Sequence, residues 1–216
     1  PEMEGIVKSV VKNEFMTSGV FQIAVSLLVF IFPVAACLVE HSASTVLALL
    51  TLMGIWALIA HRKKHEMSRA EKAVMIAFAA YFVLSACFML LHGVLPGSYP
   101  PEWKLGHEVR MLAFVPVFYL LLKIELKSDV FWYGICAGAM VNGIYAIVAT
   151  YVLEGGVRAV GAYHPIVFGD ASMAFSFMSL AGLGFFAKKH KAMAVIPIAA
   201  AALGLAAVFL SGTRGA

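Results

Sequence analysis

The sequence predicts an all-α membrane protein, a polytopic transmembrane helical bundle with about seven spans. Three observations predict it. Hydrophobic residues make up 62% of the 216 residues and charged residues only 13%, against about 25% charged in soluble domains, and the mean hydropathy is +0.91. Long apolar runs recur along the whole chain. Lysine and arginine are dense in every second connection and sparse in the others, as expected of loops on opposite sides of a bilayer.

Residues 1–17 precede the first run. In "EGIVKSVVKNEF", Ile6, Val7, Val10, Val11 and Phe15 fall on one side of a helix and Lys8 and Lys12 on the other, which fits an interfacial helix and equally a plain tether. Residues 18–216 form the transmembrane domain, with apolar runs near 18–39, 44–60, 73–91, 109–123, 129–153, 171–187 and 192–210. Each is long enough, or nearly so, to cross about 30 Å of hydrocarbon as a helix. The first is too long for a cleaved signal peptide and lacks a small-residue cleavage site, so it is expected to stay as an anchor. The fifth carries Gly134, Gly138, Asn142 and Gly143, and the sixth Ser172, Ser176 and Ser179. Small residues at these spacings point to close helix packing. Cys37, Cys87 and Cys136 sit inside apolar runs, so neither a disulfide framework nor a thiolate metal site is suggested.

Orientation follows from the cations. Lys8, Lys12, Arg62, Lys63, Lys64, Arg69, Lys72, Lys123, Lys127, Lys188, Lys189 and Lys191 lie on one side; Lys104, Arg110, Arg158 and Arg214 lie on the other. The first set is cytoplasmic by the positive-inside rule. The N-terminus is therefore cytoplasmic, and the loops at 92–108 and 154–170 face outward. Both carry Gly, Pro and aromatic residues, as suits backbone at headgroup level or folded back toward a bundle.

The outer cations are mostly arginine, the inner ones mostly lysine. A planar guanidinium gives two parallel hydrogen bonds to an oxyanion, so Arg110, Arg158 and Arg214 point to an anionic lipid or pyrophosphate; contact with headgroups is the plainer reading of Arg110 and Arg158. His164 and Asp170 share the outer loop with Arg158. A histidine there can shuttle a proton and a carboxylate can orient it or accept a proton itself, while a structural role is the better account of a lone histidine. His61 and His65 have helical ligand spacing but sit among lysines with no acidic cluster. No metal site and no cofactor are indicated. The modest net charge of +4 is split among separate loops and gives no support for nucleic-acid binding.

The last run leads into "FLSGTRGA". Together with an outer Arg-bearing loop before it, this resembles the O-antigen ligase and polymerase superfamily, whose members share a Ser-Gly-Ser/Thr-Arg-Gly-Ala signature at the end of a late span. The ligase branch is the better match. The resemblance implies a GT-C-like fold in the bacterial inner membrane and a periplasmic active face. It also implies a metal-independent inverting transfer of glycan from an undecaprenyl-pyrophosphate carrier to the lipid A core, with Arg214 as a pyrophosphate ligand. Family members continue past the motif with further spans and a periplasmic domain carrying a catalytic histidine. The chain is accordingly expected to be the N-terminal half of a ligase, with the base beyond residue 216.

Other classes remain open at this point. An O-antigen polymerase or related oligosaccharyltransferase would use the same donor. A flippase or transporter for an anionic lipid needs cations near the bilayer midplane or in broken helices. A non-catalytic scaffold needs them only against headgroups.

Overall fold

The computed structural model describes residues 19–61, 67–94, 105–124, 126–153, 158–162 and 164–212. The N-terminal segment 1–17 lies outside them. The regular elements are helices: α1 (Gly19–Ala35), α2 (Ser42–His61), α3 (Arg69–Val94), α4 (Leu105–Lys123), α5 (Ser128–Val148), a π-helical turn Ala149–Leu153, α6 (Pro165–Ala181), α7 (Leu183–Lys189), a 3-10 turn Lys191–Ala194 and α8 (Val195–Ser211). Each of the seven apolar runs contains helix among the described residues, although the first is helical only to Ala35 and the sixth is interrupted at Gly182. Among the described residues four stretches are long and apolar enough to cross a membrane: Ser42–Ile59, Arg69–Phe88, Ser128–Leu153 and Lys191–Ser211. The pair α6 and α7, bent by 41° at their junction, makes a fifth if it is one span, while Gly19–Ala35 and Met111–Lys123 are apolar but shorter.

The boundaries of the expected loops move. Residues 92–94 and 105–108 are helical, as are 165–170. The earlier start of α6 has a local cause. His164 stands in extended backbone and its ring Nδ1 accepts from the Ile166 amide at 3.4 Å, with Pro165 in the first helical position. A proline there lacks only an N–H that the helix would leave unused. At the other boundary α1 stops at Ala35. A tight turn follows, with His41 at φ 61, and Ser42 Oγ donates toward the carbonyls of Ala35 and Val39 at 2.8 and 2.7 Å.

The chain divides into two compact units, one of Pro1–Phe21 and Leu47–Glu125, the other of Gln22–Val46 and Leu126–Ala216. In the first, α3 packs along α4, with Phe78 and Phe114 stacked at 5.7 Å between centroids. Gly54 of α2 meets the backbone of Pro116 so closely that a Cβ has no room. A capping box starts α3: the Ser68 amide donates to Glu71 Oε2 at 2.8 Å and the Glu71 amide to Ser68 Oγ at 3.2 Å. None of the residues from Arg69 to Phe88 is buried. A helix so apolar and so little covered is compatible with a lipid surrounding, because water would solvate its exposed apolar side chains poorly.

In the second unit α5, α6 and α8 pack on one another. Glycines set their spacing: an added Cβ on Gly138 would stand 2.6 Å from the Pro33 carbonyl oxygen, and one on Gly143 2.5 Å from the Leu203 carbonyl carbon. On Gly134 it would lie 3.1 Å from Phe30 Cα. The G-x-x-x-G step thus seats α1 on α5, as its spacing predicted. Gly204 of α8 faces Ser176. Ser172, Ser176 and Ser179 are fully buried along this seam; Ser176 and Ser179 donate to the carbonyls one turn back, and Asn142 Nδ2 donates to Ser172 Oγ at 3.2 Å. At the start of α5 and the end of α7, Asp129 pairs with Lys189, whose ammonium lies over Phe185 at 4.8 Å.

Candidate functional site

The second unit gathers a site at the end where α8 stops. Helix α8 runs out into Gly212, which takes φ 64 and ψ 27, with its amide donating to the Phe209 carbonyl at 3.0 Å. A left-handed residue after the last helical one is the usual way to close a helix, and glycine adopts it without a Cβ clash. The last carbonyls of any helix lack partners within it. Here residues 158 and 159 supply them. The Ala159 amide donates to the Leu210 carbonyl at 3.1 Å. Arg158 Nε donates to the Ser211 carbonyl at 2.9 Å, and Nη2 to the Gly212 carbonyl at 2.6 Å. The guanidinium occupies the space a side chain on residue 212 would fill: a Cβ there would lie 2.5 Å from Nε.

The segment carrying Arg158 is itself anchored. Ala159 is fully buried in a cluster with Cys37, Ala146, Phe168 and Ala207, and the Ala162 amide donates to the Cys37 carbonyl at 2.9 Å. Gly161, at φ 62, lets the chain turn between these anchors; a Cβ there would strike the Cys37 carbonyl oxygen at 2.6 Å and the Phe168 ring at 2.7 Å. Four pieces of the unit therefore meet: the turn after α1, the segment 158–162, the start of α6 and the end of α8.

The residues expected to carry chemistry fall differently. Arg158 reaches Ser211 and Gly212, the first two residues of "SGTRGA". Arg214 itself lies outside the described residues. Arg110 is on α4, and its side chain also lies outside them. His164 is exposed and serves as the cap of α6, while Asp170 is exposed in the second turn of that helix. Among the described residues no hydrogen bond or ion pair joins His164, Asp170 and Arg158 to one another. No three His, Cys, Asp or Glu side chains among the described residues come together as a metal group would require.

Sequence reasoning missed the union of Arg158 with the end of α8. The two lie 53 and 54 positions apart, so no local pattern announces the contact. A partial signal exists in Gly212, a glycine after a long apolar run, because it marks a helix end whose carbonyls need donors.

Comparison with known proteins adds little. No family model matches the chain, and no solved structure matches it. It is similar to an uncharacterized protein of Haemophilus influenzae, 23% identical over 192 residues, which is 88% of this chain and 46% of that one. The chain thus spans about half the length of the curated relative it matches.

Proposed function

We propose that this chain is part of an O-antigen ligase, a multi-pass protein of the bacterial inner membrane with its N-terminus cytoplasmic and its active face periplasmic. On this reading it has about seven spans and a GT-C-like arrangement. It transfers glycan from undecaprenyl pyrophosphate to the lipid A core. The observation that carries the reading is the joining of the outer segment at Arg158 to Ser211 and Gly212, the residues that lead into Thr213 and Arg214. A rigid helix end is a suitable base for an arginine that must hold a diphosphate.

The chemistry is a displacement at the sugar C1. The acceptor hydroxyl oxygen bonds to C1 with inversion as the C1–O bond to the diphosphate breaks. Undecaprenyl pyrophosphate departs with the bonding pair, and the hydroxyl proton passes to a base. Negative charge grows on the leaving diphosphate, where fixed guanidinium groups stabilise it. Arg214 takes this role on this reading. His164 and Asp170 are the proton acceptors this chain offers on the periplasmic face.

The test uses the full-length protein in proteoliposomes with labelled donor. Acceptor-dependent transfer is expected. Elongation of the glycan without lipid A core marks a polymerase, and movement of label across the bilayer without transfer marks a transporter; either outcome overturns the ligase reading. Arg214→Lys keeps the charge and loses the fork, so turnover is expected to fall by about tenfold to a hundredfold, a loss of about 1–3 kcal/mol.

A further inference from the structure

We infer that Arg158 is a positioning residue: its guanidinium holds the end of α8 in the geometry from which Thr213 and Arg214 continue, and it does not grip the substrate itself. The consequence for donor binding rests on the reading of Arg214 above, whereas the strap stands on the geometry alone.

Three consecutive carbonyls at the end of α8 receive donors from two consecutive residues. Leu210 takes the Ala159 amide, Ser211 takes Arg158 Nε and Gly212 takes Arg158 Nη2. The edge of the guanidinium that carries Nε and Nη2 is one that binds an oxyanion side-on in two parallel hydrogen bonds. In this structure that edge faces two carbonyls. A cation at a helix C-terminus also meets the negative end of the helix dipole. The contact excludes any side chain on residue 212, both through its φ of 64 and through the guanidinium filling the space, 2.9 Å from Nη2 and 3.0 Å from Cζ for an ideal Cβ. Behind Arg158, Ala159 is fully buried and Ala162 is tied to Cys37, so the strap pulls against a fixed base. Lysine is no substitute, because a single ammonium on a flexible stem cannot present two N–H groups in a rigid fork.

The strap is tested without substrate by hydrogen exchange on the full-length protein in nanodiscs. In Arg158→Gln the Gly212 amide, bonded to the Phe209 carbonyl, is expected to exchange about tenfold faster, while the buried stretch from Phe168 to Ser179 keeps its protection and reports that the fold is intact. Arg158→Lys, the milder change, is expected to do the same. Unchanged exchange at Gly212 in both variants overturns the strap.

Positioning is then separated from direct contact by a double-mutant cycle read in donor kcat/KM. Arg158→Gln alone is expected to lower it about tenfold, but by less than about twofold when Arg214 is already lysine, because the strap acts through Arg214. Losses that multiply show Arg158 donating to the substrate independently and overturn the inference. Full activity of Arg214→Lys overturns the substrate-holding role of Arg214 and the effect on donor binding with it, and the exchange result still decides the strap. The two failures are therefore distinguishable.

Discussion

Helices α3 and α5 are both apolar enough to cross a membrane, yet they are used in opposite ways. From Arg69 to Phe88 α3 buries no residue, and Ile76, Leu84 and Phe88 stand about two-thirds exposed, at 65%, 69% and 66%. Helix α5 buries Gly134, Gly138, Ala139, Asn142, Gly143 and Ala146 along one side. Apolarity alone takes a segment out of water. It does not select a neighbour, because lipid tails are as apolar as leucine, and close packing must do so instead. In α5 small residues let another backbone approach; in α3 contact is made by large side chains, as where Phe78 stacks on Phe114 of α4.

The sharpest way to break that contrast is to add bulk on each side of it. Gly143→Leu drives a side chain into the backbone of Leu203, which cannot swing aside as a side-chain tip can. A destabilisation of about 3 kcal/mol or more is expected, since overpacking a tight seam commonly costs about 1–3 and a backbone obstacle leaves less room to relax. Ala80→Leu, at an exposed position on α3, is expected to stay within about 0.5 kcal/mol. Unfolding of both variants in matched detergent checks the pair, and equal losses would remove the distinction between the two helices.

A smaller effect tests whether the seam of α5, α6 and α8 is held by polar bonds as well as by fit. Asn142 and Ser172 are fully buried and joined through Nδ2 and Oγ. Ser172→Ala removes the acceptor and leaves the Asn142 amide group without this partner. A loss of about 1–3 kcal/mol is expected. The double variant Asn142→Ala/Ser172→Ala should lose less than the sum of the two single changes, a coupling measurable in the same unfolding experiment. Simple additivity would mean that the bond contributes nothing beyond packing.

How far the sequence exposed all this depends on the range of each signal. Helix positions were legible because hydropathy is local, and the run 129–153 coincides with α5 and its π-helical turn to within one residue at the start. Gly134, Gly138 and the three serines were readable as packing residues from spacing alone. The start of α6 was harder: Pro165, Gly169 and Asp170 suggest a loop, and only the His164 cap with Pro165 in the first position makes them helical. At the candidate site, the arginines stood out by residue type, but the attachment of Arg158 to Ser211 and Gly212 did not. It joins segments more than fifty positions apart through backbone carbonyls, and a carbonyl acceptor leaves no mark in residue identity.

The smallest expected effects lie at helix ends, at one polar device taken from each unit. The capping box at Ser68 and Glu71 satisfies two amides at the start of α3, so Ser68→Ala is expected to cost about 1 kcal/mol whatever the salt concentration. The pair Asp129–Lys189 is of another kind. Its side chains are 47% and 35% exposed, and charges so accessible gain little from pairing, about 0.2–1 kcal/mol, part of which salt removes. Lys189 also lies over the faces of Phe185 and Tyr133, contacts that survive when the carboxylate is gone. Asp129→Asn is therefore expected to lower stability by a few tenths of a kcal/mol at low ionic strength and by less at about 1 M salt, where the screening length falls to about 3 Å. Lys189→Ala should lose more than Asp129→Asn and keep most of its loss in high salt, because the cation-π contacts go with the ammonium. Equal, fully salt-sensitive losses in the two variants would mean that the aromatic faces contribute nothing and that the clasp is an ion pair alone.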